Sequence, residues 1–117
     1  MTTSDPNCIF CKIVAGQIPG RRAYEDDEFI VFHDIHPAAP VHLLLVPKEH
    51  FANLDEAQPR HQALLGRMIL MAPRLARENG ATNGFRVVIN NGPDGGQEVG
   101  HLHVHVLGGP RPWSRLG

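Results

Sequence analysis

The sequence predicts an α+β protein with a five-stranded, mainly antiparallel sheet, one short N-terminal helix and one long helix. Three observations lead to this prediction. One long segment repeats apolar residues every three or four positions. Five short apolar stretches have the alternation or the β-branched composition of strands. The connections between these segments are short, which favours strands that pair with a sequence neighbour.

The short helix is predicted in NCIFCKIVAG, where apolar residues fall at positions 9, 10, 13 and 14. Asn7 is a candidate N-cap, and Gly16 is a stop signal. Two strands follow in RRAYEDDEFIVFHD, on either side of an acidic turn at Asp26 and Asp27. The second of these strands is expected over about 28–34.

The stretch VHLLLVP predicts a third strand, which Pro47 ends. From Leu54 to Asn79 the pattern is helical, and Gly80 closes the segment. Pro73 lies inside it and is expected to kink the helix or make it locally irregular, because proline lacks the backbone N–H. GFRVVIN predicts a fourth strand, NGPDGG a glycine-rich loop, and residues 99–107 a fifth strand.

Length and charge restrict the class of protein. The 117 residues suffice for one domain, expected over 1–117 with flexible or extended tails at 1–7 and 110–117. The net charge of −1 argues against binding to nucleic acid or anionic lipid by bulk electrostatics. No apolar run approaches the ~18 residues of a membrane span, and MTTSDPN lacks the apolar core of a signal peptide. We therefore expect a soluble cytoplasmic protein without membrane contact.

Three histidines occupy alternate positions in HLHVHVLGG. The side-chain period of a strand places His101, His103 and His105 on one face. Three interpretations are open: a polar strand face, a zinc hydrolase site, or a nucleophilic histidine with two helpers. The glycine-rich loop directly before them favours the third, because its exposed backbone N–H groups can cradle an anion such as phosphate.

The stretch HLHVHVL resembles the His-φ-His-φ-His-φφ signature (φ is apolar) of the histidine-triad (HIT) superfamily of nucleotide hydrolases and transferases. The resemblance covers nearly the whole chain, through IFCKIVAGQIP, YEDDEFIVFHDIHPAAPVHLLLVPKEH and GFRVVINNGPDGGQEVGHLHVHVLGG. It is strongest to the Hint branch, whose members end in a similar HVLGG and a short tail with a tryptophan, here Trp113. A HIT-like fold is therefore implied.

The resemblance implies a hydrolase that cleaves the P–N bond of purine nucleoside 5′-phosphoramidates such as AMP-NH2 and AMP-lysine. His103 would be the nucleophile and would form a covalent nucleotidyl-histidine intermediate, which water then hydrolyses. His105 would bind a non-bridging phosphate oxygen, and His42 would support the site from behind. No metal is needed for this chemistry.

The resemblance also implies where a purine nucleotide binds. Asp34 corresponds to the carboxylate that takes both ribose hydroxyls. The phosphate loop is expected in Asn90, Gly96, Gln97 and the backbone of Glu98. The purine pocket is expected in Phe10, Ile18, Phe32, His33 and Ile35, for which plain core packing is the alternative.

Two positions depart from the pattern of the Hint branch. Glu98 stands where several relatives carry a serine that helps bind the phosphate. Because a carboxylate repels phosphate, the Glu98 side chain is expected to turn away, and Glu98 is expected to contribute its backbone N–H. Gly100 stands where an aromatic residue is common just before the triad.

A cysteine pair, Cys8 and Cys11, distinguishes this chain from many Hint proteins. Other HIT proteins bind structural zinc with such a pair and two histidines, which correspond here to His50 and His101. A Cys2His2 set fills all four tetrahedral positions, so the zinc is expected to be structural. The alternative is two reduced thiols that are buried as small apolar residues.

Two further functions stay open: a dinucleoside polyphosphate hydrolase like the Fhit branch, and a nucleotide-binding interaction module with vestigial turnover. The ending HVLGG and Trp113 favour the Hint branch over the first, and the intact triad argues against the second.

A symmetric homodimer is expected from surplus apolar surface. Val104 and Val106 lie opposite the histidines, and the long helix presents a wide apolar arc of Leu64, Leu65, Met68, Ile69 and Met71. The tail PRPWSRLG is stiffened by two prolines, so Trp113 is expected to project toward the active site of the partner.

Overall fold

The structure is a computed structural model that describes residues 5–113. Its elements are, in chain order, α1 (Ile9–Val14), β1 (Arg22–Glu25), β2 (Phe29–His33), β3 (Val41–Pro47), α2 (Gln62–Glu78), β4 (Phe85–Val88) and β5 (Val104–Gly108). The strands form one sheet in the order β1-β2-β3-β5-β4, and every neighbouring pair is antiparallel. The predicted fold class is confirmed.

Two helices cover the two faces of the sheet. On one face, Met68 and Leu75 of α2 are fully buried in a cluster with Val104 and Val106 of β5. On the other face, Phe10 of α1 belongs to a second buried cluster with residues of β2 and β3. Strand β3 lies at the centre of the sheet and is buried along its whole length, because both of its faces are covered.

The long helix begins later than predicted. Two short 3-10 turns, Leu54–Glu56 and Pro59–His61, come before Gln62, the first residue of α2. The Asn53 side chain caps the first turn, after which the backbone becomes extended again. The spacing of hydrophobic residues does not reveal such caps, so the predicted helix included both turns. The helix continues across Pro73 as one element of 17 residues.

The last strand is also shorter than the predicted 99–107. The backbone N–H of Leu102 donates to the carbonyl of Phe51, which lies outside the sheet, so this part of the chain is held by a loop. The ladder of β5 starts two residues later, at Val104. Only His105 of the three histidines therefore lies in β5, and the other two lie on the segment that leads into it.

Part of the apolar surplus expected at a dimer interface serves the chain's own core instead. Val104 and Val106 are fully buried under α2, in the same cluster as Leu64 and Met68. The prediction that these two valines face a partner is wrong, because α2 packs on that face of β5. Ile69 is 44% exposed.

The predicted tails, 1–7 and 110–117, fall partly outside the described residues, since 1–4 and 114–117 are not described. Within the rest of the tails, the carbonyl of Asp5 accepts from the N–H of Cys8 at the start of α1. None of the helices between residues 5 and 113 has both the length and the apolar composition needed to cross a membrane.

Candidate active site and metal-binding group

A cavity of about 450 Å³ opens on the sheet face that α1 partly covers. Twelve residues predicted for the nucleotide site and the catalytic site line it, namely Phe10, Ile18, Phe32, His33, Asp34, Ile35, His42, Asn90, Gly96, Glu98, His103 and His105. The structure thus brings residues from five separate parts of the chain into one cavity. Two other predicted residues, Gln97 and Trp113, do not line it.

A relay of hydrogen bonds orients His105. The backbone N–H of Ala38 donates to Nδ1 of His42 over 3.0 Å, so the proton of that neutral ring is on Nε2. Nε2 of His42 lies 2.8 Å from Nδ1 of His105 and donates to it. By the same logic, neutral His105 carries its proton on Nε2. This tautomer is assigned from the hydrogen bonds, and it makes His105 a donor.

His103 has the opposite tautomer. Its Nδ1 lies 2.7 Å from the backbone carbonyl of His101 and donates to it, which leaves the lone pair on Nε2. Burial lowers the pKa of His103 below its ordinary value of 6.5, although this hydrogen bond and the carboxylates of Asp34 and Glu98 act in the opposite direction. The ring is therefore neutral near pH 7 and carries a basic nitrogen. It lies 5.0 Å from the His105 ring, centroid to centroid.

Asp34 follows directly after β2 and stands at the edge of the relay. Its Oδ1 accepts from the N–H of His36, which fixes the carboxylate, and its Oδ2 lies 3.5 Å from Nε2 of His42. The next residue, Ile35, lines the same cavity and is 82% exposed. His33 also lines the cavity. Its pKa is lowered mainly by burial and to a smaller extent by the positive charge of Arg21. The cavity thus has the Asp34 carboxylate next to the exposed apolar side chain of Ile35.

The glycine-rich loop is held by its own hydrogen bonds. The N–H groups of Gly95, Gly96 and Gln97 all donate to carbonyls of Gly92 or Pro93, so they are committed to the turn. The Gln97 amide donates to the carbonyls of Ala52 and Val99 and braces the loop from inside. The N–H groups of those three donors therefore do not form the exposed anion cradle expected from the sequence.

Glycine is required at two places in this loop. A Cβ on Gly95 would collide with the backbone of Asn91, and Gly96 has a φ of +77°, where side chains are strained. Both glycines, together with Asn90, line the cavity. The tight turn thus lines the same cavity as His103 and His105.

Trp113 packs against its own chain outside the cavity. Its Nε1 donates to the carbonyl of Gly109 over 3.1 Å, and the guanidinium groups of Arg86 and Arg111 lie over its ring. It packs against the small buried cluster that contains Leu107. Its predicted approach to a partner's active site stays a prediction.

Beside the cavity, the four predicted metal ligands meet in one group. One ligand atom each from Cys8, Cys11, His50 and His101 lies within 4.8 Å of the other three. The Cys8 and Cys11 sulfurs lie 3.3 and 3.5 Å from Nδ1 of His101, and Nδ1 of His50 lies 3.1 Å from it. Two sulfur and two nitrogen donors at such distances are the set expected for a tetrahedral structural metal site.

Surrounding groups orient these four ligands. Nε2 of His101 donates to the carbonyl of Pro47 over 2.8 Å, which leaves the lone pair on Nδ1, toward the sulfurs. The Cys8 sulfur accepts from the N–H of Cys11, and the Cys11 sulfur accepts from the N–H of Asp5. Such outer contacts fix a ligand tautomer and stabilise thiolates, so the group fits a divalent cation such as zinc.

Several lining residues were missed by the sequence analysis although a periodic signal was present. Ile9 and Ile13 line the cavity from the same helix as Phe10, and Leu44 lies two positions from His42 on β3. Helical and strand periodicity would have found them. The N–H of Ala38 has no such signal, because a backbone donor leaves no trace in residue type.

Comparison with known proteins gives a consistent assignment. A family model described as HIT domain matches residues 15–111. The chain is 57% identical over 104 residues to Protein HitA of Neisseria gonorrhoeae, with 89% of this chain and 97% of HitA covered. It is 46% identical over 110 residues to Adenylylsulfatase HINT1 of Arabidopsis thaliana, with 92% of this chain and 75% of that protein covered.

Solved structures agree with the sequence relatives. The HIT family hydrolase from Legionella pneumophila Philadelphia 1 has a TM-score of 0.85 and 42% identity, with 90% of this chain and 95% of that chain covered. A Zn-bound histidine triad family protein from Mycobacterium smegmatis has a TM-score of 0.79 and 37% identity, with 87% and 74% covered. With a family model over 15–111, close relatives and the same fold, this chain belongs to the HIT domain family.

Proposed function

We propose that the protein is a nucleotidyl hydrolase that cleaves the P–N bond of purine nucleoside 5′-phosphoramidates through a covalent intermediate on His103. The observation that carries this proposal is the hydrogen bond from Nδ1 of His103 to the His101 carbonyl, because it leaves a basic Nε2 on a ring that lines the cavity. Its neighbour His105 has the opposite tautomer and can donate to the phosphate. One nucleophile and one donor are thus side by side.

In the first step, Nε2 of His103 attacks the α-phosphorus, a P–N(imidazole) bond forms and the bond to the leaving amine breaks. The amine nitrogen takes up a proton from solvent and leaves. Nε2–H of His105 donates to a non-bridging oxygen whose negative charge grows in the transition state. The imidazolium formed on His103 is stabilised by its donation to the His101 carbonyl.

In the second step, water attacks the phosphorus and gives up a proton to solvent, and the bond to His103 breaks. The nucleoside monophosphate leaves, and the imidazole returns to its neutral form. We assign the ribose hydroxyls to Asp34, because its carboxylate is fixed at the cavity by the N–H of His36. We assign the base to the apolar wall of Phe10, Ile18 and Phe32.

A panel of substrates tests this function. We expect fastest turnover of adenosine and guanosine 5′-phosphoramidates, slower turnover of diadenosine polyphosphates, and a trapped nucleotidyl-histidine at His103 by mass spectrometry. Adenylyl sulfate belongs in the panel as a second candidate substrate, because the similar plant protein is named an adenylylsulfatase. AMP binding without turnover of any member would favour an interaction module instead.

We also propose that Cys8, Cys11, His50 and His101 hold a structural zinc ion. Support comes from the donor set, from the outer contacts of its ligands and from the Zn-bound relative of Mycobacterium smegmatis. Bound zinc would supply four ligand bonds that join α1 to the segments around His50 and His101. All four positions are taken by protein ligands, so the ion has no open site for substrate.

Finally, we propose a symmetric homodimer through the β4 edge. Phe85 and Val87 of this edge strand are 38% and 37% exposed, and both are large and apolar. Helical spacing places Leu65 and Ile69 on the side of α2 opposite Arg67, which pairs with Glu28 near β2. Because β4 lies at the other end of the sheet from β1 and β2, we infer that Leu65 and Ile69 are on the side toward β4. An unpaired edge strand beside apolar helix surface is a suitable isologous contact.

A further inference from the structure

We propose that His101 is a positioning residue through which the metal-binding group holds the nucleophile His103 in its reactive tautomer. The proposal rests on the proposed function, because it takes His103 as the nucleophile and the Cys/His group as a metal site. It goes further in giving that group a role in the rate of the reaction besides its role in stability.

The first line of evidence is that His101 is fixed at three atoms. Its Nδ1 faces the sulfurs of Cys8 and Cys11, and its Nε2 donates to the carbonyl of Pro47. Its backbone carbonyl accepts from Nδ1 of His103 over 2.7 Å. The residue is fully buried, so its ring and its carbonyl cannot move independently by more than small amounts. A change at the ring is therefore transmitted to the hydrogen bond that sets the His103 tautomer.

The second line of evidence runs through α1. This helix has only six residues, too few for a helix to be stable by itself. Cys8 caps this helix and Cys11 lies within it, one on each side of Phe10 in the chain. The Phe10 ring lies 5.0 Å from the His103 ring and 6.0 Å from the His101 ring, edge to face in both contacts. Ligand bonds to Cys8 and Cys11 thus also hold the wall against which His103 packs.

The donor atoms explain why an ion matters to this geometry. Nδ1 of His50 and Nδ1 of His101 lie 3.1 Å apart, and both are close to the sulfurs. Four electron-pair donors at these separations repel one another unless protons or a cation lie between them. A cation converts the repulsion into ligand bonds and fixes the His101 ring, whereas its removal lets the ring and carbonyl relax.

The test compares zinc-loaded protein with protein treated with chelator, both without substrate. Nitrogen-15 NMR of the imidazoles reports which ring nitrogen of His103 carries the proton. We expect a single Nδ1–H form in the loaded protein and a mixture of tautomers in the metal-free protein. We also expect kcat to fall by about tenfold or more on metal removal, while the Kd for AMP changes by less than about threefold.

Two variants keep the test decisive. His50→Ala weakens the metal site without touching the His101–His103 hydrogen bond, and it replaces the chelated sample if that sample is unfolded by circular dichroism. Met68→Ala is the matched control, since it destabilises the core on the α2 face of the sheet, whereas the cavity opens on the opposite face. We expect Met68→Ala to lower Tm and to keep the zinc, the His103 tautomer and kcat.

A metal-free protein that keeps the single Nδ1–H form and the kcat of loaded protein would overturn the proposal. So would an equal loss of kcat and AMP affinity with the tautomer unchanged, because that result indicates damage to the pocket wall alone. If the loaded protein hydrolyses no substrate of the panel, the proposed function fails, but the NMR comparison still decides whether the metal group controls His103.

Discussion

His42 and His105 are 63 positions apart in the chain, and their rings are joined by a hydrogen bond of 2.8 Å between Nε2 and Nδ1. They meet because β3 and β5 are antiparallel neighbours in a register that pairs His42 with Leu107 and Leu44 with His105. Alternate residues of paired strands share a face, so the two histidines lie diagonally across the ladder. The register of β3 and β5 thus brings Nε2 of His42 to Nδ1 of His105. As a result, His105 carries its own proton on Nε2, where it can be donated.

Removing the nucleophile should abolish turnover and spare binding. We expect His103→Ala to reduce kcat by about three orders of magnitude or more, since no covalent intermediate can form. The AMP affinity should change little, because Asp34 and the apolar wall are retained. Steady-state kinetics and calorimetry measure the two quantities. Near-normal turnover by the variant would show that another group is the nucleophile.

The acid limb of the pH profile should follow His103. Burial lowers its pKa below 6.5, so the neutral, reactive form persists to lower pH than in a free histidine. The nearby Glu98 carboxylate acts in the opposite direction and raises this pKa. Glu98→Gln should therefore move the acid limb of kcat/KM to still lower pH.

The control for this measurement is Glu56→Gln, which removes an equal charge from a 3-10 turn that does not line the cavity. Its profile should match that of the wild type. A limb that moves to higher pH in Glu98→Gln would contradict the assignment, because loss of a carboxylate cannot stabilise an imidazolium.

Asp34 should select ribose over deoxyribose. We expect Asp34→Asn to reduce kcat/KM for adenosine 5′-phosphoramidate by about tenfold to 100-fold, the cost of losing a charged hydrogen-bond acceptor. The loss should be much smaller for the 2′-deoxy substrate, which has one hydroxyl fewer. Asparagine keeps an oxygen that can accept from the N–H of His36, so the loop stays intact. Equal losses for both substrates would exclude a role of Asp34 in binding the 2′-hydroxyl.

Zinc content and stability should change together at Cys8. Purified protein should contain about one zinc per chain by elemental analysis, as one four-ligand site implies. Cys8→Ser should lose most of it and lower Tm, because binding to the folded state adds to its stability. Ile13→Val is the control, as it trims the same buried cluster without removing a ligand. Metal-free protein after purification without chelator would contradict this prediction.

The sequence predicted the fold class well and the element boundaries less well, for physical reasons. Alternating histidines mark a common face, but they cannot show where ladder hydrogen bonds begin, which here depends on Phe51 binding the N–H of Leu102. Likewise, the helical spacing of apolar residues extends back before Gln62, although the chain there forms 3-10 turns. The first of these turns depends on a local cap, Asn53, which the spacing does not show. Hydrophobic periodicity reports burial, and backbone hydrogen bonds decide boundaries.

The candidate site was accessible from sequence mainly through its resemblance to a family. Cys8 and His101 are 93 positions apart, and no local pattern indicates that they meet. Gln97 was expected in the phosphate loop, and the sequence did not indicate that its amide would brace this loop by donating to the carbonyls of Ala52 and Val99. The residue type shows that a side chain can form hydrogen bonds. Whether it bonds to a ligand or to the backbone of its own loop depends on tertiary contacts.

The last prediction concerns the exposed edge of the sheet. Val87 points from the edge strand β4 and is 37% exposed, next to Phe85 at 38%. If this edge joins two copies, a lysine at position 87 places two buried charges near the symmetry axis, which is unfavourable. We therefore expect a dimer mass for the wild type and a monomer mass for Val87→Lys, measured by light scattering at low micromolar concentration.

Leu70→Lys provides the matched control for this experiment. Leu70 is 80% exposed on α2, and helical geometry directs it away from both the sheet and the β4 side, so its charge should leave the dimer intact. Both variants add one positive charge to an exposed apolar position, so they differ chiefly in location. Because the proposed interface lies on the sheet edge, only Val87→Lys should dissociate it. A wild-type monomer, or a dimer that survives Val87→Lys, would place any self-association elsewhere on the surface.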